Sequence, residues 1–163
     1  MSKLISINPS NYKEIGSVEI SSYDEVRIKV DLAHKSKVVW KNLGTSKRVE
    51  LLRAVFDEIK QRKEEIALLE AQEMGTPLTD ALIDVDGTLD YANWYFDNAE
   101  KYLAPEITFE NENEIHQVVY EPIGVAALIT PWNFPLANFV WGGLQSLICG
   151  NVVVMKHSEE VPL

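Results

Sequence analysis

Two short polar clusters stand where this sequence could do chemistry. Thr130-Pro131-Trp132-Asn133 follows the apolar run Val125–Ile129, and Lys156-His157-Ser158-Glu159 closes the apolar run that starts at Asn151. Asn133 lies between two prolines, Pro131 and Pro135, that restrict its backbone. A carboxamide fixed in this way can donate an N–H to a developing oxyanion, an interaction worth roughly 3 kcal/mol when preorganised. The same residues also suit a rigid turn whose asparagine caps the next helix. Lys156 and Glu159 can together grasp vicinal hydroxyls such as those of a ribose, because a carboxylate accepts two hydroxyl protons. They also read as solvated charge at a strand end.

Both apolar runs are short and continuous, the pattern of parallel strands buried on both faces. Residues 135–149 between them read as a helix ended by Gly150. Strand, helix, strand is one βαβ unit. Neighbouring parallel strands bring their carboxyl ends to one edge, where ligands of open sheets bind.

The preceding segments supply the scaffold. Residues 4–20 read as extended, with a turn at Asn8–Asn11. Ser22 and Glu25 have capping-box spacing and predict a helix over 23–41. Gly44 ends that segment. Val49, Leu52, Val55 or Phe56, and Ile59 recur at helical spacing and predict a helix over 46–61. The cluster Ile66–Leu69 lies on a charged helix that stops at Met74-Gly75. Pro77 suits the start of a helix over 77–102, with Leu82, Val85, Leu89, Ala92, Phe96 and Ala99 on one side. Gly87 weakens that helix. Ile107–Phe109 and Ile115–Tyr120 flank Asn111-Glu112-Asn113 and read as a hairpin.

The expected class is therefore α/β: N-terminal helices, a β-hairpin arm and the first βαβ unit of a Rossmann-like parallel sheet. The divisions fall at 1–105, 106–122 and 123–163. Two parallel strands do not complete an open sheet, so more chain or a second chain is expected to finish it. Without that cover, Val152–Met155 and the 136–148 helix are expected to expose apolar surface.

Composition narrows the function classes. The chain has 163 residues, 46% hydrophobic, with a formal net charge of −10. That balance argues against a nucleic-acid or acidic-lipid binder, which needs a basic face. A single cysteine, Cys149, excludes an internal disulfide framework. No signal-peptide core or membrane-length apolar run is evident, so a cytoplasmic location is expected.

The two clusters, Pro131–Pro135 (PWNFP) and Gly150–Glu159 (GNVVVMKHSE), together resemble the aldehyde dehydrogenase superfamily. Ile7–Pro9, Arg48–Arg53, Leu69–Pro77 and Tyr120–Val125 resemble further stretches in the same order and spacing, over nearly the whole chain. The resemblance implies oxidation of an aldehyde to an acid with NAD or NADP. A cysteine thiolate attacks the aldehyde, hydride passes to nicotinamide, and a glutamate assists hydrolysis of the thioester. Asn133 matches the family's oxyanion asparagine. Ile129, Thr130, Pro131 and Trp132 match residues along the cofactor. Lys156 and Glu159, with Ser158 beside them, match the pair that holds the adenosine ribose. Glu159 leans toward NAD, because it would repel a 2′-phosphate. The hairpin resembles the family's oligomerisation arm.

In the family, the nucleophilic cysteine, the glutamate base and the glycine-bearing pyrophosphate turn come later than residue 163. The expectation is thus an N-terminal portion, inactive alone, that binds NAD weakly and needs a continuing or complementing chain or a homo-oligomer. The alternatives are one half of a split enzyme and a non-catalytic interaction module. Cys149, at the end of an apolar helix, is expected to be a small core residue. His157 replaces a proline common in the family, which leaves the backbone after Lys156 less restrained. His34 and His116 have no partner at metal-ligand spacing. Asp84–Asp90 lacks a full calcium-ligand pattern and falls in the predicted helix, so no metal site is expected. Trp40, Trp94 and Trp141 read as core or interface anchors.

Overall fold

The computed structural model describes residues 2–163. An antiparallel hairpin opens the chain, with β1 (Lys3–Ile7) paired to β2 (Glu14–Glu19). Its turn is closed by asparagine side chains. Asn8 accepts the Ser10 N–H and Asn11 accepts the Lys13 N–H, each at 2.9 Å.

Four helices follow: α1 (Tyr23–Asn42), α2 (Gly44–Gln61), α3 (Lys63–Met74) and α4 (Leu78–Leu103). The start of α1 is the expected capping box. Ser22 Oγ accepts the Glu25 N–H at 3.3 Å, and the Glu25 carboxylate accepts the Ser22 N–H at 2.7 Å. Helix α3 ends where Gly75 turns left-handed, at φ 76°. Helix α4 runs unbroken through Gly87. Burial of Val85, Leu89, Ala92 and Phe96 along one stripe outweighs the ~1 kcal/mol that a mid-helix glycine costs.

The hydrophobic core lies among these helices and the crossover helix. Val49, Leu52 and Phe56 of α2 meet Ala81, Val85 and Phe96 of α4 and Val140, Leu144 and Ile148. Phe56 and Phe96 pack edge to face at 5.5 Å between centroids. The second hairpin, β3 (Glu106–Glu110) with β4 (Ile115–Val118), stands outside this core, and every residue in it is exposed.

The βαβ unit forms as expected. Strands β5 (Val125–Ile129) and β6 (Val152–Lys156) are parallel neighbours, from Val125 opposite Val152 to Ile129 opposite Lys156. They are joined by α5 (Pro135–Asn138), a π-helical stretch (Phe139–Leu144) and α6 (Gln145–Ile148). Gly142 lets this helix approach β5 closely, since a Cβ there would stand 2.7 Å from Leu128 Cδ1. Helix α1 packs on β5 and β6 as well.

Two expectations about burial are corrected. The strands are not buried on both faces: β6 is half-buried over Val152–Met155 and Ile129 is 78% exposed. With only two strands in the sheet, each strand keeps an open edge. Conversely, the crossover helix does not lie bare. It buries Val140, Leu144 and Ile148 in the helical core, buries Ala137 as well, and leaves Trp141 partly open.

Candidate functional site

Both polar clusters sit where the parallel strands end. Beyond the last register pair, Ile129 with Lys156, the Thr130 N–H donates to the Lys156 carbonyl at 3.1 Å. Thr130 is buried, while Pro131, Trp132 and Asn133 are exposed around the turn. The turn is braced from inside, because Asn138 Nδ2 donates to the Pro131 carbonyl at 3.3 Å.

Asn133 does not cap the next helix. The cap position is Phe134, and no side chain caps it. The carboxamide is left exposed on a loop held by two prolines and by Asn138. Such a group is free to donate to a ligand oxygen.

The Lys156 ammonium donates to Glu159 at 2.5 Å. This bond and the adjacent positive charge hold the Glu159 carboxyl below its ordinary range, so it is a carboxylate at neutral pH. Ser158 is buried, and its Oγ accepts the Glu160 N–H at 3.2 Å, which shapes the turn after β6. His157 is exposed, with Nδ1 2.9 Å from the Ser158 carbonyl.

Trp132, Ser158 and Glu159 line one groove of about 540 Å³ together with Pro9, Glu73, Met74 and Val161. The opening hairpin and the end of α3 therefore wall the same site as the strand ends. Glu73 ties these walls together. Its Oε1 accepts the Ser6 hydroxyl at 2.7 Å and the Leu163 N–H at 3.1 Å.

Cys149 lies at the other end of the crossover helix. Counted from Pro135 to Ile148, that helix is ~20 Å long at ordinary rise. Cys149 is exposed rather than a core residue, which corrects the expectation. Buried Leu144 and Ile148 set the inward face of α6, and Cys149 follows on the outward side. It borders an apolar pocket of about 200 Å³ with Trp94, Tyr95, Tyr102 and Ile148. Desolvation by the apolar side chains beside it pushes its thiol above the usual value, and nearby Arg48 opposes this only in part. It is thus a poor thiolate, remote from Asn133.

Buried Arg48 and Glu70 escape a reading of composition and spacing. Arg48 donates from Nε to the Ile148 carbonyl at 3.0 Å and from another nitrogen to the Lys41 carbonyl at 2.9 Å. Trp40 Nε1 donates to the Leu147 carbonyl at 2.9 Å. The bonds to Leu147 and Ile148 satisfy carbonyls at the end of α6, and the bond to Lys41 satisfies one at the end of α1, where neither helix has a further turn to use them. Gly150 follows with φ 96°, a left-handed turn into β6. The signal for Glu70 and Glu73 was their place, three residues apart, on the side of α3 that also buries Ala67. Among the described residues, no cluster of three or more His, Cys, Asp or Glu could hold a metal ion.

The sequence matches the model of the aldehyde dehydrogenase family over residues 2–163. The chain belongs to the aldehyde dehydrogenase family. It is 31% identical to a probable succinate-semialdehyde dehydrogenase [NADP(+)] of Synechocystis sp., over 98% of this chain and 35% of that protein. It is 35% identical to the peroxisomal aminoaldehyde dehydrogenase 2 of Malus domestica, over 94% of this chain and 32% of that protein. Its fold matches a betaine aldehyde dehydrogenase from Staphylococcus aureus, solved with NAD+, with a TM-score of 0.90 and 28% identity, over 99% of this chain and 33% of that one. The chain thus spans about a third of the length of the relatives it matches and corresponds to the N-terminal part of the aldehyde dehydrogenase fold. No helix among the described residues is long and apolar enough to cross a membrane.

Proposed function

We propose that this aldehyde dehydrogenase chain provides the oxyanion donor and the adenosine-ribose side of an NAD(P)-dependent oxidation of an aldehyde to a carboxylic acid. The supporting observation is the parallel pairing of β5 with β6, which sets the loop of Asn133 and the Lys156–Glu159 pair at one rim. Asn133 donates its side-chain N–H to the oxygen of the tetrahedral adduct. Ile129, Thr130, Pro131 and Trp132 run along the cofactor. Glu159 accepts the ribose hydroxyls, Lys156 donates to them and orients Glu159, and Ser158 shapes the turn that presents both. The ionised Glu159 favours NAD over NADP, because a 2′-phosphate would meet like charge.

The residues fit a dinucleotide at its adenosine end: a groove, an indole face and a lysine–carboxylate pair. Held there by Glu159 and Lys156, NAD would supply the hydride-accepting chemistry of the oxidation. The nucleophile and the base that frees the product come from family sequence beyond the part matched here. Cys149 does not replace that nucleophile, given its distance from Asn133 and its raised thiol pKa. The exposed hairpin β3–β4, with Ile107, Phe109, Ile115 and Val118 open, serves as an association arm.

The test compares this 163-residue chain with a polypeptide carrying it together with the remaining two thirds of the family fold. With NAD and succinate semialdehyde as probe aldehyde, only the longer protein is expected to produce NADH. Turnover by the 163-residue chain alone, abolished by Cys149→Ser, would overturn the proposal.

A further inference from the structure

The first helical donor after the Asn133 loop has an unusual partner. Pro135 has no N–H, and Phe134 provides no side-chain cap. The Leu136 N–H is therefore an orphan donor at a helix start. It donates to Glu70 Oε1 on α3 at 3.4 Å, 66 residues away in sequence. Glu70 is 8% exposed. Burial raises its carboxyl to about 7, while the bond from Leu136 pulls the other way. An apolar side chain at this place in the helix face would avoid that desolvation cost. On the other side of Asn133, Asn138 Nδ2 holds the Pro131 carbonyl. Asn133 is thus flanked by two clamps, one built within its own loop and one reaching in from α3.

We propose that Glu70 is a positioning residue for Asn133: by holding the Leu136 N–H it fixes the entry to the crossover helix and hence the direction in which the Asn133 carboxamide points. This assignment rests on the proposed role of Asn133 for its catalytic consequence, but the clamp itself is independent of it. Glu70 touches neither aldehyde nor cofactor. Gln at this position keeps an acceptor oxygen at the same reach. Met fills the same space with no comparable acceptor.

The experiment uses the longer protein that carries this chain, as wild type, Glu70→Gln and Glu70→Met. Hydrogen–deuterium exchange is followed in the peptide spanning 130–140, with peptides from α2 and α4 as controls. Steady-state turnover is measured with NAD and succinate semialdehyde. Glu70→Met is expected to speed exchange in 130–140 about tenfold, the loss of one hydrogen bond, and to leave α2 and α4 unchanged. It is expected to lower kcat about tenfold with little change in KM. Glu70→Gln is expected to restore both toward wild type. Exchange in 130–140 that is the same in Glu70→Met and wild type would overturn the clamp. Faster exchange throughout α2 and α4 would also overturn it, making Glu70 a general core residue. A local exchange effect with no turnover in any protein, wild type included, would leave the clamp standing and count against the dehydrogenase function instead.

Discussion

Ile129 and Lys156 are direct partners at the carboxyl ends of two parallel strands, and the Thr130 N–H extends their ladder to the Lys156 carbonyl at 3.1 Å. That single relationship sets the scale of the site. Asn133 lies four residues beyond one partner and Glu159 three beyond the other. An apolar sequence in each strand, with a helix of the right length between them, is enough to place both clusters at one edge.

If the Lys156–Glu159 pair holds the adenosine ribose, its loss weakens the cofactor and spares the chemistry. Glu159→Gln in the longer protein is expected to raise the Kd for NAD about tenfold, one charge-assisted hydrogen bond. The kcat at saturating NAD should stay within about twofold. Calorimetry and saturation kinetics check the two numbers separately. A fall in kcat at unchanged Kd would move Glu159 out of the ribose site.

Glu70 makes stability fall with pH over a definite window. Burial raises its folded pKa from the ordinary 4.5 to about 7, and Asp84 on α4 adds to the shift. Between about 4.5 and 7 the folded state keeps a proton that the unfolded state has lost. The stability present below pH 4.5 is therefore lost as pH rises through 7. Glu70→Gln is expected to flatten this contribution and to raise stability at pH 8 by roughly 1–2 kcal/mol after solvent screening. Urea melts at pH 5 and pH 8 for the two proteins measure the difference.

Arg48 is expected to behave as a structural tie. Its guanidinium bonds the Ile148 and Lys41 carbonyls and the Thr45 hydroxyl from a buried position. Arg48→Met removes those donors and strands the two carbonyls. The expected loss is about 2–4 kcal/mol in chemical denaturation, with the Kd for NAD unchanged in protein that remains folded.

Cys149→Ser is expected to be nearly silent. The thiol is exposed, its pKa is raised, and it lies at the far end of the crossover helix from Asn133. Turnover of the longer protein should stay within about twofold of wild type. A drop of a hundredfold or more would return Cys149 to the reaction.

The parts of this fold that were legible in the sequence are those with local causes. Ser22 and Glu25 cap α1 because three residues separate them, and Gly75 ends α3 because it alone adopts the left-handed turn cheaply. The parallel strands were legible because apolar runs flank a helix-length segment. Arg48 and Glu70 were not, since their partners are the Ile148 carbonyl and the Leu136 N–H, 100 and 66 residues away. Nothing in the order of Glu70 and its neighbours says that a loop from the βαβ unit will lie on it. The exposure of Cys149 was missed for a related reason. An apolar helix was visible, but which of its sides faces the core depends on α4. Within the candidate site, the choice between helix cap and free donor for Asn133 needed the backbone, which puts Phe134 at the cap.

The central claim, that the β5 loop presents an oxyanion donor, is tested most directly by Asn133→Ala in the longer protein. With NAD and succinate semialdehyde, kcat is expected to fall by ~10²–10³-fold, the loss of one preorganised donor, while the Kd for NAD stays unchanged. A near-normal kcat would contradict the account.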